Sequence, residues 1–158
     1  MDLMRFVSSA PIEILAPADG RVIPLFELED EVFRDKIIGD GLAIEPSDGV
    51  FVAPVNGEVI HVAKTRHTVT IKVNDRISIM VHMGLDTVYL GSAAIKCFVS
   101  EGQCIKCGDV IAEMNLEEVI KSEKKILTPI ILMGNKSAKL CKTDKIFVNK
   151  LDRLFTIS

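Results

Sequence analysis

An all-β fold, an antiparallel sandwich or barrel carrying one or two short helices, is what this sequence predicts. Three observations predict it. Short runs of Val, Ile and Leu punctuated by Gly, Pro, Asn and Asp extend from Ile12 to about Val88 and again from Cys104 to Met114. One segment alternates polar and apolar residues through a clear hairpin, and a strand-turn-strand unit occurs twice. The 158 residues are 48% apolar and 26% charged by type, the composition of one domain, 1–158, with an ordinary core.

At the N-terminus, Asp2 and Arg5 interrupt an apolar stretch too short for a signal-peptide core, although Ser8-Ser9-Ala10 offers the small residues of a cleavage site. Nowhere does an apolar run approach the roughly 20 residues of a membrane span. A soluble cytoplasmic protein is expected. The first strand-turn-strand unit is Ala16-Pro17-Ala18-Asp19-Gly20-Arg21-Val22-Ile23, and it recurs as Ala53-Pro54-Val55-Asn56-Gly57-Glu58-Val59-Ile60. In each, the Asp-Gly or Asn-Gly pair is expected to supply positive φ at the turn. A weaker echo sets Gly39-Asp40-Gly41-Leu42-Ala43 beside Gly108-Asp109-Val110-Ile111-Ala112. Two hairpins of like chemistry and a true duplication both account for these repeats.

The hairpin runs from His67 to His82: Thr68 to Val73 alternates, the chain turns near Asn74-Asp75-Arg76, and Ile77 to Val81 returns. A two-residue loop would set His67 directly opposite His82. A three-residue loop pairs Val69 with Val81 and Ile71 with Ile79, matching the apolar faces better. That register puts His82 opposite Thr68 and leaves His67 one step off, on the other face unless a bulge or the strand end turns it back. Beyond the hairpin, Ser92 to Phe98 reads as a turn or two of helix. Leu116 to Lys124 reads as a short helix whose capping box is Asn115 with Glu118.

With 19 Lys and Arg against 22 Asp and Glu, the net charge of −3 leaves no basic excess for a nucleic-acid backbone. Cys97, Cys104, Cys107 and Cys141 are too few for a disulfide scaffold in a chain of this length. The Cys104-Ile105-Lys106-Cys107 pair sits in a Gly-flanked turn, without the second knuckle of a structural zinc or the helix start of a redox pair. There is no Walker lysine motif and no Gly-x-Ser-x-Gly elbow. His61 reads as an ordinary strand residue. What remains is the pair His67 and His82 at one hairpin mouth. They suit packing, metal binding, or proton or phosphoryl chemistry. Met83-Gly84-Leu85-Asp86-Thr87 leaves the strand through a glycine, where a freed carbonyl can accept from Nδ1–H of His82 and leave Nε2 as the nucleophile.

Seven co-ordered blocks resemble the glucose-family enzyme IIA of the bacterial phosphoenolpyruvate-dependent sugar phosphotransferase system. They are Ala16-Pro17 with Asp19-Gly20, Asp30 to Phe33, Lys36 to Gly41, Ala53 to Gly57, Thr65-Arg66-His67, Val81 to Val88, and Gly102 with Gly108-Asp109. The most specific is Val81-His82-Met83-Gly84-Leu85-Asp86-Thr87-Val88, and the match runs from about Ile12 to Thr156. The resemblance implies an antiparallel β-sandwich with a duplicated core motif. It implies that His82 accepts a phosphoryl group on Nε2 from the phosphohistidine of HPr and passes it to a cysteine of a IIB domain of a sugar permease. His67 would hold the phosphoryl oxygens, Thr65 would orient His67, and the Gly84 carbonyl would fix the His82 tautomer. No cofactor or metal is implied. An apolar docking ring would be Val32, Phe33, Met80 and Met83, flanked by the acids Asp30 and Asp86. The sequence departs from the family in having Ala63 and Lys64 before the Thr-x-His segment and methionines around His82, where aromatics are common. Two alternatives remain beside the carrier. One is a regulatory protein that binds partners without transfer. The other is a zinc peptidase of a related fold, whose His-x-His pair is missing here because Gly84 stands two residues after His82.

Overall fold

The computed structural model describes residues 10–85, 94–121, 125–135 and 137–158. Its elements, in chain order, are β1 (Ile12–Leu15), β2 (Gly20–Pro24), a 3-10 turn (Leu25–Glu27), α1 (Glu31–Arg34), β3 (Asp40–Pro46), β4 (Val50–Val52) and β5 (Gly57–Val62). There follow β6 (Thr68–Lys72), β7 (Ile77–His82), β8 (Ile95–Cys97), β9 (Cys104–Ile105), β10 (Val110–Met114) and α2 (Leu116–Lys121). The last are β11 (Thr128–Gly134), β12 (Leu140–Lys142), β13 (Phe147–Val148) and β14 (Arg153–Ile157). An eight-stranded sheet in the order β13-β2-β3-β11-β7-β6-β5-β9 is joined by two three-stranded sheets, β1-β14-β12 and β4-β10-β8. Adjacent strands pair antiparallel, as the short punctuated runs predict. Among the described residues, no helix is long and apolar enough to cross a membrane.

Strand alternation decides which face carries the site. On β7, Ile77, Ile79 and Val81 enter the main core with Ile14, Ile44, Phe51, Ile71, Ile130 and Phe155. Met80, between them, points to the opposite face of the same sheet. There a second core forms from Ile23, Leu25, Leu28, Phe33, Ala43, Met80, Leu85 and Ile131. The 3-10 turn and α1 are the lid of that second core. They interrupt the strand pattern because Asp30 caps α1, accepting from Val32 N at 3.0 Å.

The two copies of the repeat are structurally equivalent. The two turns bond to each other reciprocally, Leu15 N to the Pro54 carbonyl and Val52 N to the Pro17 carbonyl, each at 2.9 Å. Each then takes an equivalent partner loop. Ala16 N donates to the Asp152 carbonyl at 2.7 Å, and Ala53 N to the Asp109 carbonyl at 2.8 Å. Leu151 N returns a bond to Ala16, and Gly108 N to Ala53. The side chains of Asp19 and Asn56 accept from Lys150 N and Cys107 N. Two independent hairpins of like composition would not share this reciprocal set.

The glycines of the repeat do a different job from the one expected. Gly20 and Gly57 are absent from the positive-φ positions; a Cβ on either would run into the carbonyl of Glu45 or Lys72. They permit close strand approach at a strand start. Positive φ is needed instead at Gly108 (94°) and at its counterpart Leu151 (74°). A Cβ at Gly108 meets only Leu151 Cδ1 at 3.6 Å, so substitution there isolates the backbone strain. Gly108→Ala is expected to cost about 1–2 kcal/mol. In a chain of this size that lowers the melting temperature by about 2–4 °C per kcal/mol. An unchanged melting curve would remove the strain assignment.

One other expectation is corrected and one is met as far as the described residues reach. Ser92 to Phe98 does not hold a helix where described: Ile95–Cys97 is strand β8, paired with β10 through Ala112 opposite Cys97, while residues 92 and 93 lie outside the described set. The helix expected over 116–124 is described as Leu116–Lys121, and its cap is present, Glu118 N donating to Asn115 Oδ1 at 3.2 Å.

Candidate functional site

The β6–β7 register is the three-residue-loop alternative. Val69 faces Val81, Ile71 faces Ile79, and His82 lies opposite Thr68. The loop is closed by Asn74, whose Oδ1 accepts from Arg76 N at 2.8 Å and Ile77 N at 3.0 Å. His67 therefore sits just before β6, and the turn after β5 brings it back toward His82. Arg66 adopts φ 66°, and Arg66 N donates to the Ala63 carbonyl at 2.8 Å. The carbonyl of His67 then accepts from Met83 N at 2.7 Å, extending the ladder one step beyond the strands. The imidazoles of His67 and His82 consequently meet with centroids 4.8 Å apart, at 77°.

Each ring is held at Nδ1. His82 Nδ1 and the Gly84 carbonyl are 2.8 Å apart; a carbonyl only accepts, so Nδ1 carries the proton and Nε2 keeps a lone pair. Gly84 exposes that carbonyl by leaving the strand at φ 83°. Among the described residues no buried side-chain nitrogen or oxygen lacks a partner, so the unbonded Nε2 of His82 is at the open side of the ring. Thr65 Oγ1 hydrogen-bonds His67 Nδ1. When the hydroxyl donates, Nε2 of His67 bears the proton and can itself donate outward. A third wall is Phe33, whose ring lies 5.0 Å from His82 in an edge-on arrangement at 67°.

Both histidines are shifted toward the neutral form. Burial depresses the His82 pKa first and the neighbouring His67 adds to it, against the opposing pull of the Gly84 carbonyl and Asp30. Burial likewise lowers His67, with a smaller contribution from His61, which is exposed beside Glu101 at 3.7 Å. At neutral pH the pair is a neutral nucleophile beside a neutral donor. Because folding favours the unprotonated rings, their contribution to stability is intact above about pH 6.5, the unfolded midpoint. It declines as pH falls from there toward the folded midpoints. Denaturant midpoints are thus expected to fall more steeply with acid in the wild type than in His82→Gln, and an equal slope would contradict the shift.

The structure brings Thr65, His67, His82 and Gly84 together. It does not make an exposed ring of the expected docking residues. Phe33 is 4% exposed, Met80 7% and Met83 0%. Met80 is covered because β7 alternation aims it under α1, and Met83 turns into the main core. Val32 stays at the surface, Asp30 is half-buried as the α1 cap, and Asp86 lies outside the described residues. Two features escaped sequence reasoning. Phe26, 72% exposed on the same segment, had a faint signal in the adjacent pair Leu25-Phe26, of which a turn can bury only one. The left-handed Arg66 had none, since arginine is not a residue expected there.

A profile of the phosphoenolpyruvate-dependent sugar phosphotransferase system, EIIA 1, matches residues 12–138. The glucose-specific EIIA component of Bacillus cereus is 38% identical over 130 residues, covering 82% of this chain and 79% of its own. That of Mycoplasma capricolum is 39% identical over 124 residues, covering 78% and 80%. The solved glucose permease IIA from Mycoplasma capricolum superposes with a TM-score of 0.87 at 35% identity, over 94% of this chain and 96% of that one.

Proposed function

The chain belongs to the EIIA 1 family of the phosphoenolpyruvate-dependent sugar phosphotransferase system, and on that premise we propose that it is a cytoplasmic phosphohistidine carrier serving a glucose-type permease. Phospho-HPr is the donor. Nε2 of His82 attacks the phosphorus, the donor's P–N bond breaks, and the donor imidazole recovers its lone pair. His82 keeps its Nδ1 proton, so its ring gains positive character that the Gly84 carbonyl stabilises. In the second step a IIB cysteine thiolate attacks the phosphorus, the bond to Nε2 breaks, and His82 returns to its resting tautomer. No proton has to leave either ring. Residues 1–158 act as one IIA domain, and its docking face takes in Val32 with Asp30 and Asp86.

The observation that carries this reading is the Nδ1 bond from His82 to Gly84 beside a second imidazole at 4.8 Å. One bond fixes the nucleophilic nitrogen, and the neighbour supplies a donor for the transferring oxygens. Intact-mass spectrometry after incubation with phosphoenolpyruvate, enzyme I and HPr tests it. A single added phosphoryl group, lost on brief acid treatment, is the expected result. No added mass with a cognate HPr would point to a binding protein that keeps the fold without transfer.

A further inference from the structure

We propose that Phe33 is a positioning residue for His82, acting from inside the protein as the wall that fixes the plane of the nucleophilic ring. The proposal rests on the carrier reading for its kinetic consequence but not for its geometry.

One hydrogen bond orients an imidazole only loosely. With Cβ held by the backbone, the contact from Nδ1 to the Gly84 carbonyl sets the two side-chain torsions of His82 only as tightly as one hydrogen bond resists bending, which leaves the ring angular freedom. Phe33, edge-on at 5.0 Å, and His67, edge-on at 4.8 Å, close two further sides and remove that freedom. With only 4% of its surface exposed, Phe33 has little to offer a partner and much to offer His82.

The wall is built to stay in place. Phe33 stands on a single helical turn too short to be stable alone, so its position comes from its anchors. Asp30 caps the turn, and Leu25 and Leu28 pin the preceding segment against Met80 and Ile131. The Glu29 carboxylate pairs with Lys125, whose own carbonyl accepts from Leu85 N at 2.9 Å. Leu85 follows Gly84. The segment carrying Phe33 and the segment carrying the carbonyl are therefore tied to one common residue.

His67 and Asp30 are the titratable groups among the described residues that act on His82 from the packed elements, and Phe33, buried and 5.0 Å from the ring, is an apolar neighbour that contributes to its burial. Removing it should let solvent reach His82. The test uses Phe33→Ala and Phe33→Leu in the full chain. The His82 titration and tautomer are followed by NMR, and single-turnover acceptance from phospho-HPr is measured against HPr concentration. In Phe33→Ala the His82 midpoint is expected to rise toward the ordinary 6.5, with the saturating rate at neutral pH falling about tenfold or more. Phe33→Leu keeps apolar bulk without a flat edge, so it should hold the midpoint low and still lose rate. A docking residue would behave otherwise, raising the half-saturating HPr concentration and leaving the saturating rate alone. That outcome overturns the proposal, as does a folded Phe33→Ala with wild-type titration and rate. If Phe33→Ala does not fold, wild-type saturating kinetics in Phe33→Leu overturn it instead. Failure of the wild type to accept phosphoryl would defeat the carrier reading, while the His82 titration would still report on Phe33.

Discussion

His82→Gln is expected to take up no phosphoryl group at all from phospho-HPr. Glutamine is the informative replacement because its amide can still donate to the Gly84 carbonyl and occupy much of the space between Phe33 and His67. The fold should persist, since His82 ends β7 and belongs to neither apolar core. What glutamine lacks is a basic nitrogen. An amide nitrogen has its lone pair delocalised into the carbonyl and cannot attack phosphorus. The loss is thus one of the nucleophile itself, and no increase in donor concentration restores it. Intact mass reads the result directly, with a single added phosphoryl in the wild type and none in the variant. His61 and His67 remain in that variant as internal controls. Phosphoryl uptake by His82→Gln would mean that one of them is the true acceptor and that the tautomer lock at Gly84 has another purpose.

The strands of the first half were legible because their faces are chemically different. Thr68-Val69-Thr70-Ile71 and Ile77 to Val81 alternate, and the apolar match alone selected the register that the structure adopts. The helix at 116 was legible for a local reason, the Asn115 cap. β11 was not. Pro129 to Met133 is a continuous apolar run between β3 and β7, buried through Leu132, and such a run has no period to read. Its Pro129 even argues against a central strand. The structure accommodates it because Pro129 faces Ala43 on β3 while pairing with β7 begins only at Ile130.

The site was half legible for a related reason. The Gly84 carbonyl followed from a glycine at a strand end. The meeting of His67 with His82 did not, because it depends on Arg66 taking a left-handed conformation that arginine rarely adopts. Nor did the docking face. Whether Met80 and Phe33 point outward depends on a second core under α1, which gathers Ile23, Ala43 and Ile131 from strands far apart in sequence, and Met83 is drawn instead into the main core. Exposure there is a tertiary fact, invisible to local patterning.

His67→Gln should separate the two transfers. Acceptance is expected to survive, because His82 keeps its Gly84 lock and the donor protein brings its own groups to stabilise the phosphoryl charge. Onward transfer is expected to slow about 10²–10³-fold, the usual cost of removing one donor aimed at developing charge. The asymmetry has an electrostatic origin. In the second step an anionic thiolate approaches an already anionic phosphoryl group, so a donor on the carrier matters more. His67 is suited to that step because its charge state can follow the reaction. Burial keeps it neutral at rest. A phosphoryl dianion on the ring 4.8 Å away favours the protonated form and pulls its pKa back up. Glutamine can donate hydrogen bonds through its amide, but it cannot become a cation. Thr65→Val, which removes the hydroxyl that orients His67, should reproduce the same defect more weakly. Pre-phosphorylated carrier mixed with a cognate IIB domain, sampled by rapid quench and intact mass, gives the onward rate in isolation. If His67→Gln discharged as fast as the wild type, the second imidazole would be part of the wall around His82 and not part of the transfer.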